Sequence, residues 1–68
     1  MKIGRRLSQR ELQVLQLLAE GHSYKICAGK LSVSHDTIRF HVRNIYERLH
    51  VHSKSEAVIK ALKNGWIR

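Results

Sequence analysis

Apolar residues along this chain recur three and four positions apart, and nowhere do they alternate with polar ones over the length of a strand. That spacing predicts an all-α domain. The first helix should open after Ser8, because Ser8 and Glu11 have capping-box spacing and Leu7 and Leu12 stand where a hydrophobic staple would close. Leu12, Leu15, Leu18 and Ala19 form its inward stripe, widened by Val14, and Gly21 ends it as the residue that takes a left-handed conformation without steric penalty. Ser23 caps a short second helix, Tyr24 to Leu31, with Cys27 and Leu31 one turn apart on the inner side. Gly29 costs this helix about 1 kcal/mol relative to Ala, so tertiary packing must hold it.

The stretch Leu31-Ser32-Val33-Ser34 is too short for a long loop and too polar for a continued helix, so the helices on either side must cross steeply. Ser34 caps a third helix, 34–49, with Val33 and Ile38 placed as its staple and Ile38, Val42, Ile45 and Leu49 as its stripe. It is the longest and most regular of the set. His50-Val51-His52 breaks the pattern, and Ser53 with Glu56 forms a second capping box ahead of a fourth helix, 54–64, which Gly65 closes.

Composition narrows what such a bundle can do. The chain has 68 residues, with 13 Lys and Arg against 5 Asp and Glu, a formal charge of +8 and a sequence pI near 10.4. A chain this short buries only about 60% of its unfolded surface, which leaves no room for both a core and a deep catalytic cleft. An enzyme is therefore not expected, and the charge excess points to a polyanion as partner. A single cysteine, Cys27, excludes an internal disulfide and fits a cytoplasmic protein. Neither a signal-peptide run nor a membrane-spanning apolar segment is present in the sequence.

The third helix carries the candidate chemistry. Opposite its stripe stand His35, Asp36, Arg39, Phe40, Arg43 and, further along, Arg48. Arg39 and Arg43 are four apart and share a face; Arg can fork guanine O6 and N7, and Phe40 beside them can meet a thymine methyl. A basic helix is by itself more often just a solvated face. Here the short preceding helix and tight turn supply the scaffold a major-groove reading helix requires.

Leu7-Ser8-Gln9-Arg10-Glu11, Val14-Leu15, Ala19-Glu20-Gly21, Ser23-Tyr24-Lys25, Ala28, Leu31, Val33-Ser34, Thr37-Ile38-Arg39, His41, Asn44-Ile45, Leu49, Val51, Glu56-Ala57-Val58 and Gly65 fall in an order that resembles the LuxR/GerE-type helix-turn-helix domain of bacterial transcription regulators. The stretch Asn44 to Ser53 is most similar to the version at the C-terminus of two-component response regulators. The resemblance implies a four-helix LuxR-type helix-turn-helix fold over 7–68, with 1–6 as an N-terminal extension or linker. It further implies that the third helix reads DNA, the second supports it and the fourth dimerises. Carried over by position, Arg39, Phe40 and Arg43 would contact bases, and Ser23, Lys25, Thr37, Asn44 and Lys54 would contact phosphates. Tyr24 stands where the family often has Asn, and its hydroxyl would still reach a phosphate. Capped helix starts suit phosphate for an independent reason, since their N–H groups are free and the dipole end is positive.

Departures from the family pattern carry their own expectations. Ile26 replaces an acidic residue, so the second helix lacks a capping-box carboxylate; Cys27 replaces an aliphatic core residue, where packing outweighs redox sensing; Phe40 is bulkier than the usual aliphatic side chain. His41, His50 and His52 lie close in sequence but lack the partners of a metal site, and His41 fits a hydrogen-bonded structural role. Neither a metal nor another cofactor is expected. The fourth helix is apolar over more than one face, so Val58, Ile59, Ala61 and Leu62 would meet the same helix of a second copy, while some of them could instead complete the core with Trp66 and Ile67.

The expected function is sequence-specific binding of double-stranded DNA by a homodimeric transcription regulator, with RNA polymerase as a further partner and no small-molecule substrate. The competing expectation is a basic interaction module docking on an acidic partner such as polymerase or a receiver domain. Membrane-surface binding is disfavoured, because no helix pairs a wide apolar face with a cationic one along its length. The similarity around Tyr46 to Ser53 favours a fragment of a longer response regulator over a free-standing one.

Overall fold

Each helix of this protein begins in the same way. The structure, a computed structural model, describes residues 7–68, and the expected extension or linker at 1–6 lies outside the described residues. Four helices follow one another: α1 (Gln9–Ala19), α2 (Tyr24–Leu31), α3 (His35–Leu49) and α4 (Lys54–Lys63), with no strand among the described residues. Ser8, Ser23, Ser34 and Ser53 are their N-caps, and each hydroxyl accepts a hydrogen bond from the backbone N–H three residues on, at 3.1–3.2 Å. Ser23 does so although Ile26 offers no carboxylate in return. Ser8 and Glu11 close a complete capping box. The second expected box is only half present, because the Glu56 carboxylate accepts from the N–H of His52 at 2.6 Å rather than from Ser53.

The helices also end alike. His22, Val33, Val51 and Trp66 each donate a backbone hydrogen bond to the carbonyl five residues back, and the residue before each has positive φ. This is the Schellman ending, which satisfies carbonyls the helix leaves open. Gly21 and Gly65 were expected there; Ser32 (φ 58°) and His50 (φ 57°) adopt the same left-handed conformation despite their side chains. The left-handed Ser32 turns the chain sharply between α2 and α3.

The core is built around α3, whose stripe Ile38, Val42, Ile45 and Leu49 is wholly buried. Burying one such side chain contributes about 1.5–3 kcal/mol. Val14, Leu15 and Leu18 meet it from α1, Cys27 and Ala28 from α2, Ala57 and Ala61 from α4, and Leu7 and Ile67 from the ends. The sequence-based stripe of α1 is rotated slightly: Leu12 and Ala19 are only half buried, while Glu11 is buried in their place. In α2 it is Ala28 that joins Cys27 in the core, with Leu31 half buried. Ala61, expected at a surface between copies, is fully buried; its side chain completes the core and is not available to a partner.

Polar contacts fix the packing. One oxygen of Glu11, Oε1, accepts from the N–H of Ser8 at 2.9 Å and from Arg48 Nη1 of α3 at 2.5 Å. Lys60 Nζ of α4 donates to the Leu49 carbonyl at 2.8 Å, placing a cation at the negative end of α3. Gln16 both donates to and accepts from the backbone of Arg68, which pins the chain's last residue to α1.

Three substitutions have expected effects on stability. Arg48→Ala removes the charged partner of the buried Glu11 carboxylate and should cost about 3 kcal/mol, the low end for a broken buried pair because Arg48 itself faces water and the Ser8 N–H remains. Glu11→Gln, which keeps an acceptor for Ser8 and leaves no charge behind, should cost clearly less in the same urea titration. Gly29→Ala should stabilise by about 0.5–1 kcal/mol, since a helical Gly pays extra chain entropy and a Cβ at this position meets nothing within 4 Å.

Candidate nucleic-acid interface

With its stripe buried, α3 has one face left to show. Asp36, Arg39, Phe40 and Arg43 fall at i, i+3, i+4 and i+7, all four are exposed, and together they line one shallow depression. Phe40 is 58% exposed, the largest apolar group on this face. An unburied aromatic ring between two guanidiniums adds nothing to the core. The three expected base-contacting residues, Arg39, Phe40 and Arg43, are thus brought together.

Beyond Arg43 the surface continues as a groove lined by Tyr46, Glu47, His50, Val51 and His52. Arg48 does not belong to it. Its side chain is exposed, as read from the sequence, but its guanidinium is paired with Glu11, so this arginine ties α3 to α1. Neither partner of that pair was identified beforehand as a pair. The only hint was an acidic residue standing within a helical turn of the inward stripe of α1.

The expected phosphate contacts divide into three groups. Ser23, Lys25 and Lys54 are exposed in the first turns or caps of α2 and α4, where N–H groups remain without helical partners. Thr37 and Asn44 are half buried on α3, and the Thr37 hydroxyl shares a 2.9 Å hydrogen bond with that of Ser34. Tyr24 is half buried beside α3: its ring centroid lies 5.8 Å from that of His35, and it neighbours Tyr46. Its ring thus packs at the α2–α3 junction. Burial first, then the neighbouring Tyr24, pushes the Tyr46 phenol above its ordinary value, so the Tyr46 hydroxyl stays neutral.

The remaining chemistry-bearing residues are quieter. Burial pushes the Cys27 thiol up, only partly opposed by a backbone hydrogen bond and by the Lys54 charge, so at neutral pH it is a protonated, apolar-packed group. His41 lies beside Phe40 with ring centroids 6.0 Å apart, and its buried Nδ1 has no hydrogen-bond partner, contrary to the structural role expected of it. Among the described residues no three His, Cys, Asp or Glu side chains gather as metal ligands, and no helix is long and apolar enough to cross a membrane.

On α4, Ile59 and Leu62 are exposed and Val58 is half buried. With Ala61 in the core, these three remain of the apolar surface expected there. Val58 and Ile59 line a shallow hollow with Leu18, Ala19 and Lys54.

Comparison with known proteins agrees with this arrangement. Residues 5–61 match the GerE family, described as bacterial regulatory proteins of the luxR family. The chain is 37% identical over 62 residues to the transcriptional regulatory protein DegU of Brevibacillus brevis, covering 91% of this chain and 26% of that protein. It is 47% identical over 55 residues to the HTH-type transcriptional regulator MalT of Serratia proteamaculans strain 568, covering 81% of this chain and 6% of the relative. It is 39% identical over 66 residues to the HTH-type transcriptional regulator AlkS of Pseudomonas putida, covering 97% and 8%. The chain thus spans about a quarter or less of the length of these relatives. Among solved structures, that of the transcription factor GerE superposes with a TM-score of 0.87 at 32% identity, covering 91% of this chain and 92% of the other. Four helices in this order, an exposed basic face on the third and a family match over most of the chain lead to one statement: the chain belongs to the luxR family of bacterial regulatory proteins, as a helix-turn-helix DNA-binding domain.

Proposed function

We propose that this domain binds double-stranded DNA sequence-specifically, with α3 in the major groove, and so directs a transcription regulator to its sites in the bacterial cytoplasm. The observation that carries the reading is the division of α3: Ile38, Val42, Ile45 and Leu49 are buried, while Arg39, Phe40 and Arg43 stand exposed on one face. An α-helix fits the major groove, and two arginines one turn apart can each fork a guanine. Ser23, Lys25 and Lys54, with Thr37 and Asn44 on the flank of α3, are the anchors that set its register on the phosphates. Such contacts carry affinity and salt dependence rather than sequence preference.

The exposed Ile59 and Leu62, with Val58 beside them, support pairing of two copies through α4. Two reading helices would then face half-sites about one helical turn apart, 10–10.5 bp. RNA polymerase is the further partner that a transcription regulator of this kind would meet.

Substitutions separate the roles. Arg43→Ala should cost about 1–3 kcal/mol on a selected site and relax preference at one base position, as read by fluorescence anisotropy on single-base variants. Lys25→Ala should weaken binding to all sequences alike and reduce the slope of log K against log salt by about 1. Unchanged base preference in Arg43→Ala would remove α3 as the reader. Leu62→Glu should abolish cooperative binding to paired half-sites while leaving binding to one half-site intact; undiminished cooperativity would place the pairing surface elsewhere.

A further inference from the structure

The depression on α3 that holds the two arginines also holds an anion. Asp36 lines it with Arg39, Phe40 and Arg43, and among the described residues its carboxylate makes neither an ion pair nor a hydrogen bond. On affinity grounds it is the wrong residue for that place, because a carboxylate on a face that meets a polyanion opposes every phosphate nearby. Asp36 is the second residue of α3, and a negative charge there does favour the helix N-terminus. That benefit is the same at any azimuth in the first turn. It does not account for a position directly in line with Arg39, Phe40 and Arg43.

We propose that Asp36 is a fourth base-reading residue, accepting a hydrogen bond from the N4 amino group of a cytosine and so fixing one position of the bound sequence. This rests on α3 being the reading helix, as set out above. A carboxylate can only accept, and the major groove offers it two donors, cytosine N4 and adenine N6. Adenine presents its N7 acceptor beside N6 and repels the second carboxylate oxygen; guanine N7 and O6 and thymine O4 are acceptors outright. Cytosine is the base that remains. Reading helices of this kind meet base edges with their N-terminal residues, and Asp36 is nearer that end than either arginine. The guanine paired to the cytosine, or one beside it, presents O6 and N7 to Arg39 one turn further on. An acceptor and a donor fork, in that order along one helix face, then favour a C·G step. Facing guanine or thymine the carboxylate finds no amino group to offset its repulsion from phosphate, and facing adenine it meets the N7 acceptor, so it raises specificity by penalising the other bases.

Bound sites selected from random duplex DNA by the wild-type chain, Asp36→Ala and Arg43→Ala test this. The wild type should select a cytosine at one position by about tenfold, and Asp36→Ala should reduce that to under about twofold while the other positions hold. Asp36→Ala should also bind random duplex several-fold more tightly at low salt, and Arg43→Ala should lose a different position and keep the cytosine. Unaltered preferences in Asp36→Ala, or loss confined to an A·T pair, would overturn the proposal and leave Asp36 as a helix-end charge. A wild-type selection with no base preference, or an Arg43→Ala selection identical to wild type, would overturn the reading of α3 itself and this proposal with it.

Discussion

Glu11 carries a carboxylate into the interior of a very small protein, and the way it is satisfied organises much of the rest. An unpaired buried charge costs several kcal/mol, so the site exists only because its partners converge on it. The Ser8 N–H and the Arg48 guanidinium both donate to the same oxygen, one from the start of α1 and one from the last turn of α3. A single side chain thereby caps its own helix and fixes where the far end of α3 sits. It also settles what Arg48 does. Paired with Glu11, that arginine stays exposed but is tied to α1, while Arg39 and Arg43 nearer the helix start line the depression with Phe40. The separation between arginine used for folding and arginine left for a partner follows from this one buried acid.

Around that clamp, short helices are held by their ends as much as by their stripes. α2 has eight residues, with Gly29 in its interior, a length at which an isolated helix has little stability in water. Ser23 at one end, the left-handed Ser32 at the other and the buried Cys27 and Ala28 in between keep it in place. The sharp turn at Ser32 then delivers the chain directly to the Ser34 cap of α3. Lys60 closes the other end of α3 by donating to the Leu49 carbonyl. α3 is thus restrained at both termini and along one face, and its opposite face stays open.

Much of this could be read from residue spacing, and the exceptions have physical causes. The four serine caps were legible because a hydroxyl three residues before a donor N–H is a local arrangement that needs no tertiary context. The stripe of α3 was legible because it runs without interruption for the whole helix. Ser32 and His50 were not, since non-glycine residues enter the left-handed region only when surrounding packing holds them there. Glu11 was legible as a cap but not as a core residue, because its burial depends on Arg48, 37 positions away. Ala61 illustrates the limit of periodicity: on a helix with apolar residues on two faces, only the packing against its neighbours decides which face is inside. Of the candidate interface, the positions on α3 followed from helical geometry, whereas the packing of the Tyr24 ring against His35 depended on how α2 and α3 cross.

The central claim is that the face of α3 left open by this packing is the one that meets DNA bases. The most direct measurement is an NMR titration of the labelled domain with a duplex recovered by site selection, following backbone amides and arginine side chains to saturation. The account predicts the largest shifts at Asp36, Arg39, Phe40 and Arg43, smaller ones at the starts of α2 and α4, and little change along the groove of Leu12, Leu17, Leu31 and Trp66. Shifts concentrated in that groove, with the exposed face of α3 unchanged, would contradict it.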